Sequence, residues 1–202
     1  MAKKSIIVYA SWTGHTEKVA MRFKKVFDKF NWTCDMFKIE YETDLKNLPF
    51  DLDNYDLICI GSPVIGKRPT DEIAVVLGGF EAIKGSPSSP ENLAYARGEL
   101  GPRKDDGQHY EKIIFSPDTK KGIVFVTAGE CHIPLKYGVE PALSFMECDL
   151  YHKKIEPIGR FYCPGKLGKA HSPYIKDLPS RPNERDLIKA EIFLEEILEE
   201  YY

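Results

Sequence analysis

An α/β sandwich on a five-stranded parallel sheet is the fold that the sequence predicts, and three observations carry it. Short runs of aliphatic and aromatic residues recur without polar alternation, as strands covered on both faces require. Between them lie longer stretches whose apolar residues return every three or four positions, the mark of amphipathic helices. The two kinds alternate along the chain, which implies right-handed βαβ units stacked in three layers.

The first strand is SIIVYA, residues 5–10. Val19, Ala20, Phe23, Val26, Phe27 and Phe30 then repeat at helical spacing and predict a helix over 15–30. TCDMFKI (33–39) reads as the second strand, and YDLICIG (55–61), apolar and ending in glycine, as the third. PTDEIAVVLGGF (69–80) predicts a helix opened by Pro69, because proline is pre-set for a first helical turn. GIVFVTAG (122–129) is the fourth strand. Val139, Leu143, Met146 and Leu150 share one face of a predicted helix over 138–150, and KIEPIGRFY (154–162) supplies the fifth strand. NERDLIKAEIFLEEILEEY (183–201) is the closing helix, with Asn183 as its cap and Glu195, Glu196, Glu199 and Glu200 on a solvated face.

At 202 residues and 43% hydrophobic, the chain can bury one sizeable core, so 1–202 is expected to form one domain. Two stretches stand outside the alternation: about 84–112, rich in Gly, Pro, Ser and charge, and 163–182. Loops this long serve as functional covers or subunit contacts, a homodimer among them, or stay without fixed structure. A formal charge of −3 leaves no footprint for nucleic acid or an acidic membrane surface. The apolar run near the start, residues 6–10, is too short for a signal-peptide core or a membrane span. Five widely spaced cysteines (34, 59, 131, 148 and 163) without a C-x-x-C motif fit reduced thiols in a cytoplasmic protein.

Where the first strand meets the first helix, SWTGHT places three hydroxyls and a glycine at a seam. In an open parallel sheet, ligands bind beyond the carboxyl ends of the strands, near the switch in strand order. Free N–H groups and the positive end of the helix dipole gather there, so the seam is suited to an anion. No lysine or arginine lies within it, which suits a phosphate monoester held by neutral donors. A plain capped helix start, with Thr13 as the cap, is the other reading. A Walker loop and a G-x-G-x-x-G fingerprint are both absent. A receiver-type domain would need an aspartate where Gly61 and Ser62 follow the third strand. A low-molecular-weight phosphatase would need a cysteine and an arginine around the first loop.

Ile7, Val8, Tyr9, Ser11, Gly14, Thr16 and Ala20 together resemble the flavodoxin signature, with Phe23 the one departure. The resemblance extends through YDLICIGSPVIG, VFVTAG and the helix after RPNERDL, about three quarters of the chain. It implies a sheet of order 2-1-3-4-5 and bound FMN. Ser11, Trp12, Thr13, Gly14, His15 and Thr16 would hold the phosphate. Ser62, Pro63, Val64, Ile65 and Gly66 would pass along one side of the isoalloxazine. Thr127, Ala128, Gly129, Glu130, Cys131 and His132 would pass along the other.

Val64 and Ile65 suit either the flavin ring or ordinary packing. Trp12 is expected to pack beneath its loop, His15 to be solvated, and Tyr137 to supply the aromatic that the second loop lacks. The adjacent Cys131 and His132 make neither a metal pair nor a nucleophile–base pair, and no catalytic side chain is expected. The resemblance implies an electron-transfer flavoprotein working with a redox protein or a small-molecule acceptor. The alternative is an NAD(P)H-dependent flavin oxidoreductase of the quinone reductase type, which the mild charge and the two insertions favour. A flavin-free interaction module is a third reading.

Overall fold

The computed structural model describes residues 3–45, 47–78, 115–129, 138–165 and 181–202. Five strands, β1 (Lys4–Ala10), β2 (Thr33–Ile39), β3 (Leu57–Pro63), β4 (Lys121–Gly129) and β5 (Glu156–Gly165), form one sheet. All pairings in the sheet are parallel and the order is β2-β1-β3-β4-β5, as the resemblance implied. Four helices lie among the described residues: α1 (His15–Lys29), α2 (Asp71–Gly78), α3 (Glu140–His152) and α4 (Glu184–Tyr201). None of them is long and apolar enough to cross a membrane.

The two-residue period of each strand divides the core. Ile6, Val8, Ile58, Ile60, Val124 and Val126 face α2 and α3, meeting Ile73, Leu77, Leu143, Met146 and Leu150. Ile7, Tyr9, Leu57, Cys59, Ile123 and Phe125 face α1 and α4, meeting Phe23, Phe27, Ala190 and Leu194. Each fully buried Ile, Leu or Phe contributes about 1.5–3 kcal/mol of transfer free energy, so the central strands anchor whatever sits at their ends. Gly61 of β3 is required by this packing. A Cβ there would lie 2.2 Å from the buried ring of Phe125.

Several boundaries differ from the expected ones, each with a local cause. α2 begins at Asp71 rather than Pro69 because the Thr70 N–H is held by Ser62 Oγ at 2.9 Å. β5 begins at Glu156, because Lys154 turns the chain out of α3 with φ 59. It also runs on through Cys163, Pro164 and Gly165, part of the expected loop at 163–182; an edge strand tolerates proline. The remainder of that expected loop, residues 166–180, and the insertion at 84–112 lie outside the described residues. Asn183 does cap α4: its side chain takes the Asp186 N–H while Asp186 takes the Asn183 N–H.

Candidate functional site

Three connections leave the carboxyl ends of neighbouring strands on one edge of the sheet. The switch in strand order falls between β1 and β3, and Tyr9 is paired with Gly61 there. One strand over, Pro63 pairs with Thr127, and Thr127 with Cys163 of β5. The ends of β1, β3 and β4 therefore form a contiguous floor.

Residues 11–14 turn from β1 into α1. Gly14 occupies the N-cap in the left-handed region, φ 78, and supplies no side-chain cap. That is a departure from the alternative in which Thr13 caps the helix. The first intrahelical bond runs from the Lys18 N–H to the Gly14 carbonyl, so the N–H groups before it have no intrahelical acceptor. Ser11 Oγ, buried, accepts the Glu17 N–H at 3.2 Å and keeps its own proton to donate. Thr16 Oγ1 is buried 2.9 Å from Thr127 Oγ1, joining α1 to β4. Thr13 is exposed, its Oγ1 3.1 Å from His15 Nδ1, and the His15 ring lies against Gly165 at the end of β5.

Residues 62–70 form the second loop, tied at both ends. Ser62 Oγ donates to the Pro63 carbonyl and accepts the Thr70 N–H, each at 2.9 Å. The Val64 N–H donates to the Thr127 carbonyl at 2.8 Å, extending the pairing of β3 with β4. Val64 packs against the core, whereas Ile65 is 44% exposed at the tip. Of the third loop, Thr127, Ala128 and Gly129 end β4; Glu130, Cys131, His132 and Tyr137 lie outside the described residues.

Trp12 is 64% exposed and does not pack beneath its loop. Trp12 and Ile65 are thus the exposed large apolar side chains of the first and second loops. Two features escaped the sequence reading. One is the approach of Gly165 to His15 and Thr127, which arises only because β5 extends three residues further than expected. The other is a charge cluster beside the loop. Tyr9 donates to Glu17 at 3.2 Å, and Lys38 Nζ lies 3.5 Å from the same carboxylate. Burial, followed by the charge of Glu17, pushes the Tyr9 phenol up to about 12, so it stays protonated.

The four described cysteines are free, and burial raises the thiol of each: Cys34 to about 11, Cys163 to about 12, Cys59 and Cys148 upward. None is a thiolate nucleophile at neutral pH. Among the described residues no three His, Cys, Asp or Glu side chains gather as a metal site.

No family model matches the sequence, and no curated relative matches it. Solved structures do. Flavodoxin 2 from Bacillus cereus is 20% identical over 98% of this chain and 99% of its own, with a TM-score of 0.56. The fold is flavodoxin-like. A WrbA-like flavodoxin from Agrobacterium tumefaciens shares the flavodoxin-like fold at 14% identity over 99% of this chain and 98% of its own, TM-score 0.56. So does rubredoxin oxygen:oxidoreductase from Desulfovibrio gigas, at 16% identity and TM-score 0.56 over 98% of this chain, which spans 36% of that protein.

A Cβ built on Gly14 or Gly66 would meet no atom of the described residues within 4 Å beyond its chain neighbours. The donors around the first turn are neutral hydroxyls and backbone N–H groups, the chemistry a phosphate monoester needs.

Proposed function

We propose that the protein binds FMN at this edge and carries electrons to or from a redox protein or a small acceptor. The observation that carries the reading is the start of α1. Three hydroxyls and the first-turn N–H groups, which have no intrahelical acceptor, lie at the carboxyl end of the central strands, with no lysine or arginine in the loop. Ser11, Thr13, Gly14 and Thr16 would hold the phosphate, with Trp12 and His15 at its margins. Ser62, Pro63, Val64, Ile65 and Gly66 would line one side of the ring, and Thr127, Ala128 and Gly129 the other. Glu130, Cys131 and His132 keep the place on that side which the resemblance implies.

Bound FMN would supply one- and two-electron chemistry. The protein's own part is to orient the ring and limit its access to water. The second loop, tied at two points, provides a rigid mount: Ser62 fixes the start of α2, and Val64 is bonded to β4. Pro63 restricts the backbone between them. The four described cysteines, all free, support a reducing, cytoplasmic setting. The flavodoxins among the structural neighbours support the carrier reading.

A second reading, an NAD(P)H-dependent flavin oxidoreductase, draws on the mild charge of −3, too small for the strong acidic steering of a dedicated carrier. Mixing FMN-loaded protein with NADH or NADPH under argon separates the two. A carrier keeps its flavin colour until a reductase is added. Rapid bleaching by the nicotinamide alone would establish the oxidoreductase instead.

A further inference from the structure

We propose that Thr127 is a positioning residue for the phosphate end of the cofactor, acting through Thr16. The inference rests on the reading of residues 11–16 as a phosphate loop. Thr16 Oγ1 and Thr127 Oγ1 are 2.9 Å apart, and the two residues are only 1% and 4% exposed. Two touching hydroxyls own two protons but place only one between them, so the other must point elsewhere. Thr16 stands in the first turn of α1, at the floor of the loop. Thr127 stands at the end of β4, with its carbonyl taken by the Val64 N–H and its Cβ close to Gly165.

A phosphate dianion accepts hydrogen bonds and donates none. An anion in the loop therefore fixes the direction of the pair: Thr127 donates to Thr16, and Thr16 donates to the phosphate. A hydroxyl that already accepts a hydrogen bond is polarised and donates more strongly. Thr127 thus sets which way the Thr16 proton points and strengthens it, without touching the phosphate. The same bond couples the loop for the phosphate to the strand end that flanks the ring.

The test is a set of dissociation constants for FMN and for riboflavin, measured on flavin-free protein. Thr127→Val keeps the side-chain volume and removes the donor. It is expected to weaken FMN roughly fivefold more than it weakens riboflavin. Thr127→Ser should restore FMN affinity, and Thr127→Val should add nothing once Thr16→Val is present. Circular dichroism reports that each variant is folded, and Thr127→Ala replaces the valine variant if that one does not fold. Unchanged FMN affinity, or equal loss for both flavins, would overturn the proposal. Wild-type protein that does not prefer FMN to riboflavin would overturn the phosphate-loop reading itself, and this proposal with it.

Discussion

Ile65 and Arg68 exchange both of their backbone hydrogen bonds, at 2.9 and 3.1 Å, and so close a two-residue turn at the tip of the second loop. Both central residues are left-handed, Gly66 at φ 56 and Lys67 at φ 69. Positive φ at both places defines a type I′ turn, which glycine occupies freely and lysine only under strain. Lys67→Gly is expected to raise stability by about 1 kcal/mol in urea unfolding, and Lys67→Val to lower it by a similar amount. Unchanged stability in the glycine variant would show that the turn is not held in this form in solution.

The same lysine puts a cation at the tip of the second loop, next to Gly66. A nearby cation favours the reduced, anionic form of a bound flavin, and at an exposed position screening keeps the effect small. Lys67→Glu should lower the flavin midpoint by roughly 20–80 mV per electron, as read by spectroelectrochemistry. An unmoved potential would place the ring away from this turn.

At the start of α4, Asp186 is buried beside the Arg181 guanidinium, with hydrogen bonds of 2.5 and 2.7 Å, and also accepts the Asn183 N–H. Burial alone would raise its pKa; the Arg181 bonds and the Asn183 N–H outweigh it and hold the carboxyl below the usual range. A depressed folded pKa means stability that is fully present above the unfolded pKa, about 3.9, and lost as pH falls through the folded value. The wild type should therefore exceed Asp186→Asn in stability at neutral pH, and the gap should close in acid. Asn183→Ala, which removes the cap, should cost about 1 kcal/mol. A gap that stays constant down to strongly acid pH would contradict the ion-pair account.

The layers were legible in the sequence because their cause is local. SIIVYA and GIVFVTAG lack polar alternation only because both faces are covered, and the period of α1 and α4 marks the faces that do the covering. What was not legible depended on side chains meeting across the fold. The Ser62–Thr70 bond moved the start of α2, and the pairing of Gly129 with Gly165 carried β5 through a Pro-Gly that reads as a turn. At the site, the loop at 11–16 was visible as a cluster of hydroxyls. That Thr16 would meet Thr127, 111 residues away, was not. Trp12 looked apolar enough to pack, yet it lies on a turn that opens to solvent above the sheet edge.

The central claim is that residues 11–16 read a phosphate, and the most direct measurement is flavin affinity in a variant stripped of two donors. A neutral donor on a charged oxygen is worth roughly 1.5–3 kcal/mol. Thr13→Ala combined with Thr16→Ala should therefore weaken FMN by about tenfold or more while riboflavin, which has no phosphate, binds as before. Equal losses for FMN and riboflavin, or no loss for either, would contradict the account.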